Sequence, residues 1–200
     1  MNTIEAIKAR RSIRQFDATV KIDAKTERAL LEAALLAPSA LNLQHCRIVT
    51  VHDPKLREKL QAAAYGQKQV TQASLFVVFC ANLHAWKDDA HATGEGLPEA
   101  GNQARSMVIN RIYPDNPVYQ RDEGVRSAAM AAQNLMLAAK DMGYDSVPMI
   151  GFDIDKVASL IQLPPNHMVV MAVAVGRAMV GPSARYGRLP YERVVFENNF

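Results

Sequence analysis

Residues 125–153 read VRSAAMAAQNLMLAAKDMGYDSVPMIGFD, the clearest helical pattern in the chain running into a segment punctuated by proline and glycine. Val125, Ala128, Ala129, Ala132, Leu135, Met136 and Ala139 fall on one face at helical spacing. Gly143 fits the position just past the last turn, where a left-handed residue ends a helix. The spacing predicts a helix from Val125 to Met142 and a loop over Ser146–Gly151. Alanine along the apolar face lets a neighbouring element approach closely, in the core or across a dimer seam.

Working outward, the run Leu75–Cys80 is continuously apolar and reads as a buried strand. Cys46–Val51 and Met168–Val175 read as two more strands, and Asp155–Gln162 as a helix between the long helix and the last strand. Asp53-Pro54 is an N-cap followed by proline at the first helical position, with Leu56, Leu60 and Ala63 as the buried stripe. A helix opening at Asp23 carries Leu30, Ala33, Ala34 and Ala37, and Pro38 stops it. A short helix from Thr3, taken as its cap, to about Ala9 is expected to turn Ile4 and Ile7 inward. Residues 84–124 are polar, glycine-containing and weakly patterned, an excursion from the core. Strands separated by helices with few hairpin signals give an α+β class, helices covering a small central sheet. The tail from Gly181 to Phe200 is apolar in places (Val194, Val195, Phe196) and is expected to pack, a second subunit being one option.

Two hundred residues, 49% of them hydrophobic and 22% charged, suit one ordered domain over 1–200 and exclude a disordered chain. The longest apolar runs, such as Leu75–Ala81, fall far short of the ~20 residues of a membrane helix. A net charge of +3 is too small for a dedicated nucleic-acid binder. Two cysteines make no disulfide framework, and the chain reads as cytoplasmic. His45, His52, His84, His91 and His167 are scattered without zinc spacing, and Cys46 and Cys80 read as small buried hydrophobes. There is no nucleophile elbow and no P-loop, and Gly94, Gly96 and Gly101 are wrongly spaced for a dinucleotide fingerprint.

Four segments remain that could carry chemistry. Arg10-Arg11-Ser12-Ile13-Arg14 places Arg10 and Arg14 four apart at the end of the first helix with a hydroxyl between them. Guanidinium forks and a hydroxyl match a phosphate monoester, although a solvated basic face has the same composition. Ala37–Gln44 (APSALNLQ) offers Ser39, Asn42 and Gln44 for the polar edge of a heteroaromatic ring, or for ordinary turn chemistry. In Tyr144–Gly151, Pro148 and Gly151 shape the backbone for close approach to a ligand. Gly187-Arg188-Leu189-Pro190 puts another arginine in the tail.

In this order, with Tyr65–Gln69 (YGQKQ) and Ala131–Asp153 added, the segments resemble the FMN-dependent nitroreductase family, in its oxygen-insensitive NAD(P)H nitroreductase-like branch. The resemblance implies a nitroreductase-like fold with the C-terminal tail packed on a partner subunit, and residues 84–124 as a helical excursion shaping substrate access. It implies that Arg10, Ser12 and Arg14 hold the FMN phosphate and flank the flavin, with Arg11 contributing through its backbone. Ser39 and Asn42 would come from the neighbouring subunit of a homodimer. Gln69 would sit near the flavin pyrimidine, Met149, Ile150 and Gly151 would line the ring, and Arg188 would close over the phosphate. His45-Cys46 stands where relatives often have Pro-Trp, Gln69 where many have lysine, and Ile150 where many have an acidic residue. The activity implied is hydride transfer from NADH or NADPH, through the flavin, to a nitroaromatic, quinone or similar small acceptor in ping-pong fashion. No catalytic side chain and no metal is required, because the flavin carries the redox chemistry. Other flavin chemistry (enone reduction, dehalogenation) and a flavin- or nucleotide-binding module without turnover are the alternatives.

Overall fold

The computed structural model describes residues 1–200. Its strands are β1 (Cys46–Thr50), β2 (Leu75–Asn82), β3 (Asp145–Met149) and β4 (His167–Gly176), joined antiparallel in the order β1-β2-β4-β3. The helices are α1 (Thr3–Ala9), α2 (Ala24–Leu35), α3 (Pro54–Ala63), α4 (Gln69–Gln72), α5 (Ala85–Asp88), α6 (Glu99–Ile112), α7 (Pro117–Asp141) and α8 (Ile154–Leu160). This is the α+β arrangement expected.

Alternation along β2 divides the core. Leu75, Val77 and Phe79 face α2 and α7, packing with Leu30, Ala34, Ala128, Ala132 and Leu135. Phe76, Val78 and Cys80 face the opposite layer, packing with Leu60 of α3, Val70 of α4 and Val157 of α8. Every residue of β2 is buried, which is why its sequence is apolar without a period. Each large aliphatic or aromatic side chain removed from water here contributes about 1.5–3 kcal/mol. No helix is long and apolar enough to cross a membrane.

The start and stop signals hold in most places. Asp23 accepts a hydrogen bond from the Thr26 N–H, Asp53 accepts one from the Lys55 N–H ahead of Pro54, and Gly143 sits at φ +84° after α7. The first helix is capped by Asn2 rather than Thr3, through a capping box with Glu5. Ile4 and Ile7 do not turn inward: they are 59% and 47% exposed, and Ala6 is the buried residue of α1.

Two boundaries differ more. The long helix begins at Pro117, not Val125, and passes through Gly124. A Cβ at Gly124 would lie 2.9 Å from the Ala81 Cβ, so glycine serves close helix–sheet approach here, not a break. On its buried face Ala131 replaces Ala129, which is exposed. Residues 145–149 form a strand rather than a loop. Pro148 is tolerated because β3 is the edge strand and needs no ladder donor at that position.

Candidate functional site

The basic segment owes its placement to the free edge of β3. After α1 ends at Ala9 the chain is extended, and the Ile13 N–H donates to the Ser146 carbonyl at 3.1 Å. Ser12 bridges to Ser146, Phe16 bridges to Ala178, and the Asp17 N–H donates to the Arg177 carbonyl. Ile13 and Phe16 are buried, while Ser12 and Arg14 face outward. Arg10, Ser12 and Arg14 therefore share a face by strand alternation, not by helical spacing.

These residues line a cavity of about 190 Å³ together with Arg11, Ser183, Arg185, Tyr186 and Arg188. Five arginines meet there, and none forms an ion pair. Arg10 Nη1 is buried without a hydrogen-bond partner. Burial, and then the neighbouring Arg185, Arg11 and Arg188 charges, push the Arg10 guanidinium below its ordinary range. A pocket with surplus donors and no counter-charge suits a multiply charged anion.

The Arg11 side chain has a partner of its own: its guanidinium donates to the Ser183 carbonyl. Arg185 was not singled out in the sequence. It donates to the Lys8 carbonyl at 2.7 Å and to the Arg10 carbonyl at 3.3 Å, using the unpaired carbonyls where α1 ends. The SARYGRLP run around it (183–190) carries two arginines, and that was the available signal.

At the C-terminal end of β3 the chain passes Met149, which is buried, then Ile150, which is 76% exposed, and Gly151. The N–H groups of Ile150 and Gly151 donate to no acceptor within the chain. The Gln67 side chain donates to the Gly151 carbonyl at 2.6 Å and accepts from buried Gln69 at 2.8 Å. Gln69 is thus brought to the same turn as Met149, Ile150 and Gly151.

Ser39 and Asn42 lie elsewhere. Their loop precedes β1, at the opposite edge of the sheet from β3, three strand spacings or roughly 14 Å away. Within it Leu41, Asn42 and Gln44 adopt φ of 52°, 54° and 49°. Left-handed backbone at non-glycine residues costs on the order of 1–3 kcal/mol each and persists only where the surroundings enforce it. Ser39 Oγ accepts from the Gln44 N–H at 2.8 Å, and the Asn42 side chain donates to the Thr93 carbonyl at 3.0 Å. The structure brings nine of the eleven expected contacts to the β3 edge and leaves Ser39 and Asn42 apart, and one protomer does not join them.

A sequence model described as the Nitroreductase family matches residues 7–177. This chain belongs to that family. Protein DrgA of Synechocystis is 40% identical over 98% of this chain and 95% of its own. Among solved structures, a candidate nitroreductase of Exiguobacterium sibiricum in complex with FMN superposes with a TM-score of 0.87. It is 26% identical and covers 98% of this chain and 97% of that one. The NADPH:FMN oxidoreductase of Vibrio harveyi complexed with NAD+ gives a TM-score of 0.79 at 32% identity, over 100% of this chain and 78% of that one.

The cysteines of this nitroreductase-family chain are both free. Burial pushes the Cys80 thiol up to about 11; burial, then the nearby Cys80, pushes Cys46 up to about 12. Almost none of either is thiolate at pH 8, so neither is a nucleophile there. Cys80 is buried as expected, whereas Cys46 is only half-buried. Iodoacetamide at pH 8 is expected to alkylate Cys80 at least about a hundredfold more slowly than a free thiol, and at the ordinary rate in urea. Rapid labelling of Cys80 in the folded protein would contradict its burial.

Proposed function

We propose that this protein is an FMN-dependent NAD(P)H oxidoreductase that passes a hydride to nitroaromatic, quinone or similar electrophilic acceptors by a ping-pong route. The observation that carries the reading is the five-arginine pocket, free of carboxylates, laid against the β3 edge whose far end offers two unpaired N–H donors. From Ser146, beside Ser12, to Ile150 is roughly 13 Å at strand rise, so one strand edge joins the basic pocket to the two donors.

The residues present fit FMN. When bound, the flavin supplies the hydride chemistry. Arg10, Ser12 and Arg14 would grip the phosphate, Arg11 and Arg185 fasten the tail beside it, and Arg188 would close the pocket. Met149, Ile150 and Gly151 would line the ring, and the Ile150 and Gly151 N–H groups would stabilise negative charge on it. Gln69 holds Gln67, and Gln67 holds Gly151, so the turn is set before any ligand arrives.

Ser39 and Asn42 reach this site from a second copy of the chain in a homodimer. The apolar groups exposed on one protomer, among them Ile4, Ile7, Leu36 and Met130, support that reading. Residues 181–200, exposed along their whole length, supply the segment that packs on the partner. Two free cysteines fit a reducing, cytoplasmic setting.

The purified protein is expected to carry flavin absorbance, and NADH or NADPH is expected to bleach it under anaerobic conditions. Flavin bound without bleaching would leave a binding module. A colourless protein that stays so in excess FMN would overturn the reading.

A further inference from the structure

Arg105 is the one arginine of the excursion that is buried, at 8% exposure, and it has no carboxylate partner. From α6 its guanidinium donates to three neutral acceptors. Nε reaches the Leu41 carbonyl, Nη1 the Ala90 carbonyl and Nη2 the Thr93 hydroxyl, each at 2.7 Å. Leu41 is the first of the left-handed residues in the Ser39–Gln44 loop, and Thr93 accepts through its carbonyl from Asn42. One planar fork thus spans the loop and the segment it leans on.

The backbone around it is cut to admit that fork. A Cβ on Gly94 would stand 2.9 Å from Arg105 Nη1 and 2.6 Å from Asn102 Oδ1, so a side chain there would displace both tips. Close by, Arg47 of β1 pairs with Asp89 and donates to the Gln44 carbonyl at 2.8 Å, fastening the other end of the loop. Buried charge with neutral partners is an expensive way to fix a surface loop unless the loop's shape matters.

We propose that Arg105 is a positioning residue for the flavin site: it holds Leu41 and Thr93 so that Ser39 and Asn42 present their side chains to the ring. This rests on the reading above that those two residues meet the flavin. The excursion is then coupled to the ring side of the site and not to its phosphate side. A lysine at this position keeps the charge, but its donors share one nitrogen, which cannot stand at the three places the fork occupies.

The test uses the full-length protein with Arg105→Lys and, independently, Gly94→Ala. In the cofactor-free form, amide exchange at Asn42, Leu43 and Gln44 is expected to quicken about tenfold in both variants, while the core of α7 is unchanged. In both, affinities for FMN and for riboflavin, which lacks the phosphate, are expected to fall by the same factor of about ten. Unchanged exchange in the loop would overturn the proposal. So would a lowered melting temperature with both flavin affinities intact, the result of a purely structural role. Should the wild-type protein take up neither flavin, the oxidoreductase reading fails, and the positioning role falls with it even where exchange shows that Arg105 holds the loop.

Discussion

Arg10→Ala is expected to raise the dissociation constant for FMN by about ten- to a hundredfold, with riboflavin affinity unmoved. The magnitude follows from the pocket's chemistry. A desolvated hydrogen bond to a charged group contributes about 1.5–3 kcal/mol, and Arg10 Nη1 is buried with no partner inside the chain to share. Its guanidinium makes no hydrogen bond within the chain, and its neighbours are Arg11, Arg185 and Arg188. Removing it therefore relieves repulsion, and the cofactor-free protein is expected to melt no lower than the wild type. That pairing of weaker FMN binding with undiminished stability separates a lost ligand contact from damage to the fold. Arg10→Lys is expected to recover only part of the affinity, since an ammonium is a point charge without the fork. Isothermal titration with FMN and riboflavin, beside a thermal melt, checks all three outcomes. An FMN affinity within about twofold of wild type would remove Arg10 from the site.

The elements that the sequence displayed best are those whose burial is decided by apolar side chains. Strand β2 is buried on both faces, so its composition alone betrays it. The second half of α7 is read from its alanine and leucine stripe. The elements that it concealed are held by something else. The first turns of α7 are rich in charge and contain Gly124, which resembles a break until Ala81 is seen pressed against it. Pro148 argues against a strand unless that strand is known to lie at an edge, and edges are a property of the whole sheet. Helix α6 is fastened through Arg105, a polar anchor that hydrophobic periodicity cannot register. At the site, the arginines were visible as a cluster, but the reason for their convergence was not. Their shared face comes from pairing with Ser146, more than a hundred residues away in sequence. Ser39 and Asn42 stood out by residue type, and only the sheet order shows how far they lie from the arginines in one protomer.

Phe16→Ala is expected to destabilise the fold by about 3–5 kcal/mol. For a chain of this length that is a fall in melting temperature on the order of 10 °C. The ring is 1% exposed in the core layer that holds Ile13, Val147 and Met149, and it fixes the far end of the Arg10–Arg14 segment. It also lies against bare backbone. A Cβ on Gly176 would stand 3.0 Å from Phe16 Cδ1, with the Ser74 N–H nitrogen at 3.1 Å. Gly176→Ala alone is therefore expected to destabilise by overpacking, about 1–3 kcal/mol. Combined with Phe16→Ala, the added methyl group enters space that the ring has left, and Ser74 alone still opposes it. The double variant is then less destabilised than the sum of the two single ones, a coupling that chemical denaturation of the four proteins measures directly. Strict additivity would mean that the ring and the Gly176 backbone do not meet, and the basic segment would lose the anchor that places its arginines.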